Sequence, residues 1–299
     1  MSFCSRVKNE LSRINKNKKC CLEAELSAII SVNSLPDSKK SEKSSIKIVT
    51  ENAAFARRTF SLIKELSGIC PKVVCRKSQK LKKHTTFILT IQNGREIEQK
   101  YRRKFEFIKT RECCKRAFLR GAFLAAGSIS DPEKTYHLEI SVKTLELANK
   151  LVELINSYDL NSKIIKRKGY YVVYLKEGDH IVDFLNIIGA HGSLLELENI
   201  RILKDMRNNV NRIVNCETAN LDKTVTASLR QIKNIEYLRD NFGLDNLPEN
   251  LRQIAELRLK YSDASLKELG QMLNPPLGKS GVNHRLRKLE QLAEELKRK

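Results

Sequence analysis

Apolar positions along this chain follow two different periods. Helical spacing, with apolar residues three and four apart, governs Leu22–Ser34 and returns over Ala117–Ile129. Shorter runs rich in β-branched residues lie between and after these stretches. The two helical segments open an internal repeat with a period near 93: Cys20-Cys21 followed by LEAELSAIISVNSL matches Cys113-Cys114 followed by KRAFLRGAFLAAGSI. The offset then holds for the strand-like Ile46–Val49 and Leu138–Val142. It holds again for the helical ENAAFARRTFSLIKEL and KTLELANKLVELINSY, and for the basic strand pairs PKVVCRK with HTTFILTIQN and SKIIKRK with YYVVYLK. Each copy is expected to run helix, strand, strand, helix, strand, strand, and the second adds a closing helix around His180 to Ile188. The expected architecture is an α+β domain with pseudo-twofold symmetry over residues 1–200, its repeats covering about 1–95 and 96–200.

From Glu196 to Leu238 the pattern reads as helical and polar, with residues 201–220 expected to serve as a linker helix. An all-α domain is expected over residues 221–299. Within it, Pro248 to Tyr261 reads as a supporting helix. Ser265-x-x-Glu268 ahead of Leu269 and Leu273 is a capping-box pattern, which marks the start of a short helix. Asn274-Pro275-Pro276 ends it. Ser280 is the expected N-cap of a last helix running to about Lys297. At 100° per residue, Val282, Leu286, Leu289, Ala293 and Leu296 share one face of this helix, the core face. The opposite face then carries Ser280, His284, Arg287, Lys288 and Gln291, with Asn283 and Arg285 at its flanks. Two helices across a short break, the second of them basic, make a helix-turn-helix. Its expected DNA contacts are Ser265, Lys267, Lys279, Ser280, Asn283, His284, Arg285, Arg287, Lys288 and Gln291. The acidic Glu290, Glu294 and Glu295 fall later along the helix.

Charge sharpens this picture. Of a formal net charge of +21, residues 1–150 carry 32 Lys+Arg against 15 Asp+Glu, and residues 251–299 carry 11 against 6, whereas the intervening residues nearly balance. Basic blocks such as Arg76, Lys77, Lys80, Lys82, Lys83 and Arg102, Arg103, Lys104 suit a polyanion, because lysine and arginine displace its condensed counterions. The N-terminus is polar and basic with no apolar core of a signal peptide, and no apolar run approaches the roughly 18 residues of a membrane span. A cytoplasmic, nucleoid-associated protein with no membrane partner is expected. The eight cysteines are scattered, and the adjacent pairs suit neither a vicinal disulfide nor a C-x-x-C knuckle. Free thiols are therefore expected, with no metal and no cofactor.

The opening helices carry a resemblance. Leu26–Ser34 reads LSAIISVNS and Leu119–Gly127 reads LRGAFLAAG, and both are similar to the LAGLIDADG motif of a family of homing endonucleases. That resemblance implies two helices packed across a pseudo-twofold axis through small residues. It also implies an acidic residue at the eighth position of each motif, holding the divalent cation that cleaves DNA. Here the eighth positions are Asn33 and Ala126, and neither an amide nor a methyl replaces a carboxylate on a hard cation. The chain is thus expected not to be an enzyme, with Asn33 and Ala126 as degenerate positions. Together with NRIVNCETANLDKTV (Asn211–Val225) and SLKELGQMLNPPLGKSGVNHRLRKL near the C-terminus, these motifs resemble the WhiA family of bacterial regulators. That resemblance implies a sequence-specific, double-stranded-DNA-binding regulator of cell division and chromosome segregation, and of sporulation in spore formers. The competing readings are an active homing endonuclease and an RNA-binding protein. A protein co-regulator held by the first domain is a further partner to consider, and the oligomeric state is not written in the sequence.

Overall fold

The computed structural model describes residues 1–14, 18–34, 45–77, 85–92, 94–102 and 105–298. Lys80, Lys82, Lys83, Arg103 and Lys104, counted above among the basic blocks, lie outside the described residues. The chain divides into two compact units, residues 1–205 and 206–299.

The first unit begins with α1 (Phe3–Leu11), α2 (Lys19–Asn33), β1 (Ile46–Thr50), α3 (Ala53–Ser67), β2 (Lys72–Lys77) and β3 (Thr85–Ile91). Two short helices, α4 (Gly94–Arg102) and α5 (Phe105–Thr110), lead into the second copy. That copy comprises α6 (Glu112–Ala126), β4 (Gly127–Ile129), β5 (Leu138–Val142), α7 (Leu145–Asn156), β6 (Lys163–Arg167), β7 (Tyr170–Leu175) and α8 (Gly178–Ile188). The sheets are antiparallel, with strand orders β1-β3-β2 and β4-β5-β7-β6. Equivalent strands pair equivalently: Ile48 faces Leu89 in one sheet and Ile140 faces Val173 in the other. The repeat extends to the caps. The Asn52 side chain accepts the Phe55 N–H (2.8 Å) at the start of α3, and Thr144 accepts the Leu147 N–H (3.4 Å) at the start of α7. The second copy has the expected order. Among the described residues the first has a single strand before α3.

Two segments escaped the sequence reading. The N-terminus is a helix because Phe3, Val7 and Leu11 recur at four-residue steps and are buried, while the Ser2 hydroxyl caps it. The connection between copies reads as a basic block, yet it buries Ile97, Tyr101, Phe105 and Ile108 against the core.

At the centre, α2 and α6 lie against each other. Leu26, Ala28, Ile29 and Ile30 from one and Leu119, Ala122, Phe123 and Leu124 from the other are fully buried. Gly121 makes the approach possible: a Cβ there would collide with the backbone oxygen of Glu25 and press on the Ala28 methyl. The same interface contains an ion triad. Glu25, 0% exposed, receives Arg58 through both carboxylate oxygens and Arg120 Nε at 3.0 Å. Arg58 also donates to the Ile14 carbonyl (2.7 Å), and Arg120 to that of Ile188 (3.2 Å), so the buried charges have partners beyond one another. The triad ties α2, α3 and α6 together.

Helix α9 (His191–Asn241) begins in the first unit and continues into the second. The stretch read as polar is amphipathic: Met206, Val210, Ile213, Val214, Leu221 and Val225 recur on one side and are exposed. The second unit then has a single 3-10 turn at Leu244–Asn246, followed by α10 (Glu249–Lys260), α11 (Leu266–Gln271) and α12 (Lys279–Arg298). Its core is Ile235, Leu238, Leu251, Ile254, Leu269, Leu273, Val282, Leu286, Leu289 and Ala293, with Leu296 packed at the margin. Among the described residues, no helix is long and apolar enough to cross a membrane.

Candidate nucleic-acid interface

The second unit presents its polar residues on a frame fixed from behind. Ser265 caps α11 reciprocally: its hydroxyl accepts the Glu268 N–H (3.3 Å), and the Glu268 carboxylate accepts the Ser265 N–H (2.7 Å). The backbone hydrogen bond from Ser265, supported by its side chain, holds the Glu268 carboxyl below its ordinary range. Preceding this cap, the buried Arg258 donates to the carbonyl of Ala264 (2.7 Å), and burial lowers the pKa of its guanidinium. The Leu277 N–H donates back to the Gly270 carbonyl at 2.9 Å and closes the turn between α11 and α12. Gly270 permits this closure, since a Cβ there would strike the Leu277 backbone oxygen and crowd Val282.

Helix α12 begins two residues earlier than expected. Lys279 is its first residue and the Val282 N–H donates to the Gly278 carbonyl (3.1 Å), so Ser280 lies in the first turn rather than capping it. That places Ser280, His284, Arg287, Lys288 and Gln291 on one exposed face, opposite the buried Val282, Leu286, Leu289 and Ala293. Lys279 and Lys267 are exposed as well. Asn283 and Arg285 are half-buried at the flanks, and Arg285 donates to the Asn250 carbonyl (3.2 Å). Ser265 is half-buried and its hydroxyl is already engaged in the cap. Glu290 is turned away from the basic face and pairs with Arg230 at 2.9 Å.

In the first unit, Asn33 and Ala126 occupy equivalent places, the last residues of α2 and α6. The Asn33 amide donates to the Ile29 carbonyl (2.8 Å) of its own helix, and the Lys143 ammonium reaches the Asn33 carbonyl at 3.5 Å. Basic side chains also lie on the sheet edges: β2 is exposed throughout and carries Lys72, Arg76 and Lys77, while its counterpart β6 carries Lys163, Lys166 and Arg167.

The opposite ends of α2 and α6 hold a group that in sequence is two separate adjacent pairs. The sulfurs of Cys20, Cys21, Cys113 and Cys114 all lie within 4.8 Å of one another. Among the described residues, no other group of three or more His, Cys, Asp or Glu converges in this way. Burial, with the neighbouring Cys113, pushes the Cys21 thiol up to about 12. Burial also raises Cys20, but hydrogen bonds from the other three cysteines and Arg111 outweigh it and lower that thiol.

Family models match three stretches of the chain: the WhiA N-terminal LAGLIDADG-like domain at residues 19–103, the WhiA LAGLIDADG-like domain at 115–207 and the WhiA C-terminal HTH domain at 210–293. A probable cell division protein WhiA from Ruminiclostridium cellulolyticum is 54% identical, over 100% of this chain and 99% of that protein. One from Alkaliphilus metalliredigens is also 54% identical, over 98% of each. Among solved structures, full-length WhiA from Thermatoga maritima is 29% identical with a TM-score of 0.60 and covers 99% of both chains. The N-terminal LAGLIDADG domain of a WhiA matches 63% of this chain and 90% of its own length, at 26% identity and a TM-score of 0.52.

Proposed function

This chain belongs to the WhiA family, and on that premise we propose that it is a sequence-specific, double-stranded-DNA-binding regulator acting in cell division and chromosome segregation, and in sporulation where the organism forms spores. Its helix-turn-helix reads base edges and its LAGLIDADG-like unit cuts nothing. The observation that carries this reading is the exposed polar face of α12, where Ser280, His284, Arg287, Lys288 and Gln291 stand clear of a fully packed core. A helix rigidly held on one side, with long donors on the other, suits the major groove, whose base edges present a distinct donor and acceptor pattern. Arg287 is the foremost candidate for a bidentate contact with guanine.

Loss of nuclease chemistry follows from the residues at the ends of α2 and α6. An amide turned back onto its own helix and a methyl group offer no pair of carboxylates for a hard cation, and Lys143 brings a positive charge to Asn33. The basic edges of β2 and β6 supply affinity without sequence choice. The protein works in the cytoplasm, on the nucleoid.

Titration of Arg287→Ala and His284→Ala on cognate and scrambled duplexes tests the assignment, with circular dichroism as the folding control. Loss of a base contact costs about 1–3 kcal/mol and relaxes one position, whereas loss of a phosphate contact weakens all sequences alike. Unchanged affinity and an unchanged cognate-to-scrambled ratio in both variants would reject α12 as the reading helix. Supercoiled plasmid incubated with the protein and Mg²⁺ or Mn²⁺ should stay uncut, and cleavage that tracks the purified protein would reject the non-enzymatic reading.

A further inference from the structure

We propose that Cys20, Cys21, Cys113 and Cys114 form a four-thiolate zinc site that clamps the N-terminal ends of α2 and α6. Each pair lies in the first turn of its helix, and the packing of the two helices brings the pairs together. Within a pair the sulfurs are 4.0 Å apart (Cys20, Cys21) and 3.9 Å apart (Cys113, Cys114), and all four fit within 4.8 Å. Tetrahedral zinc–sulfur bonds of about 2.3 Å place the four sulfurs about 3.8 Å from one another. The separations within each pair already match that edge, and those between helices need only side-chain rotation of about 1 Å to reach it.

The competing chemistries fit less well. A disulfide requires sulfurs about 2.0 Å apart, half the 4.0 and 3.9 Å found within the pairs. An iron–sulfur cluster puts its cysteine ligands on different irons and so spreads the sulfurs farther apart than a single ion does. Four soft sulfur donors in a tetrahedron suit zinc. The surroundings also favour the charge. Zn²⁺ with four thiolates carries −2, and it would sit at two helix N-termini, where free N–H groups and the helix dipoles favour negative charge. The Arg111 side chain reaches Cys20 as well. Binding would release up to four protons from the thiols, so affinity falls as pH falls. Four protein ligands close the coordination shell, which makes the site structural rather than catalytic. It fixes, across the pseudo-twofold axis, the helix ends opposite those carrying Asn33 and Ala126.

The test uses the full chain, purified under reducing conditions, loaded with Zn²⁺ and desalted, with metal measured by elemental analysis and native mass spectrometry. One zinc per chain is expected. Cys70→Ser, at an exposed cysteine outside the cluster, should keep it, and Cys20→Ser/Cys113→Ser should lose it. Co²⁺ in place of Zn²⁺ should give the intense visible bands and near-ultraviolet sulfur charge transfer of tetrahedral thiolate coordination. Cys113→His, which retains a ligand, should restore binding and shift those bands, so the site remains testable if the double variant folds poorly. Zinc well below one equivalent, equal zinc in the double variant, or cobalt spectra without sulfur charge transfer would overturn the proposal. A disulfide linking the two pairs in anaerobically isolated protein would replace it with a redox role.

Discussion

Two helix pairs define this molecule, and they use the same device for different ends. The pair α2 and α6 and the pair α11 and α12 each place a glycine, Gly121 or Gly270, against a backbone carbonyl that no side chain could approach so closely. In the first pair most side chains are buried, and a charged triad lies inside. In the second, only one face of α12 is buried and the other is left to solvent with its basic residues. On the proposed function, the close-packed pair, with Asn33 and Ala126 at its ends, serves as a scaffold, and the pair packed on one side only serves to read a surface.

The largest expected effect tests the scaffold. Glu25→Ala leaves Arg58 and Arg120 buried without their counter-charge, and breaking a buried ion pair by removing one partner costs about 3–5 kcal/mol. Chemical denaturation should show that loss in the first unit. Replacing Glu25, Arg58 and Arg120 together by apolar residues of similar volume should cost less than the single change, because no orphan charge remains. A triple variant weaker than Glu25→Ala would mean the triad is a net source of stability.

Next come the two glycines. Gly121→Val and Gly270→Val each force a side chain against backbone, and overpacking of this kind costs about 1–3 kcal/mol. Their consequences should differ. Gly270→Val should displace the turn before α12 and abolish duplex discrimination, whereas Gly121→Val should lower the melting temperature of the first unit while the second still discriminates. A loss of discrimination by both variants to the same degree would mean that reading depends on the first unit too.

A smaller effect separates affinity from specificity. Lys72→Ala/Arg76→Ala/Lys77→Ala removes three exposed charges from an edge strand. If all three meet phosphates, the slope of log affinity against log salt should become shallower by about 2 to 3, with an unchanged cognate-to-scrambled ratio. An unchanged slope in the folded variant would take β2 off the DNA.

What the sequence disclosed and what it hid divide along the same line. The motif helices and the core face of α12 are local patterns, legible because their spacing lies within one element, and the repeat is legible because such local patterns recur at one offset. The buried face of α1 falls on three residues within a polar, basic stretch, too few to outweigh its composition. Helices α4 and α5 hid behind Arg102, Arg103 and Lys104, although Tyr101 and Phe105 on either side are buried. The cysteine cluster was invisible for a stronger reason: each adjacent pair alone matches no ligand spacing, and its partners lie a whole repeat away. Only the matched offset of the two pairs hinted at it. Ser280 was misplaced as a cap because the backbone of Gly278, which has no side-chain signal, begins the helix.

The smallest effect concerns Ser265, which was expected to touch DNA and is seen to cap α11. Ser265→Ala removes the acceptor for the Glu268 N–H, and loss of such a cap costs about 1 kcal/mol. The reciprocal half of the box depends on pH. The Ser265 N–H holds the Glu268 carboxyl below its ordinary value of 4.5, so the native state favours the ionised form more than the unfolded chain does. That contribution is fully present above the unfolded value and is lost as pH falls through the lower, folded one. Stability measured from pH 7 down to about 3 should therefore drop less steeply in Glu268→Gln than in the parent. Ser265→Asp separates capping from contact, because aspartate caps as well as serine but brings a negative charge. If Ser265 faces the phosphates, Ser265→Asp keeps the stability that Ser265→Ala loses and still binds DNA more weakly, with a gap that narrows as salt screens the repulsion. Equal affinity of Ser265→Asp and the parent at low salt would confine Ser265 to the fold and leave reading to α12.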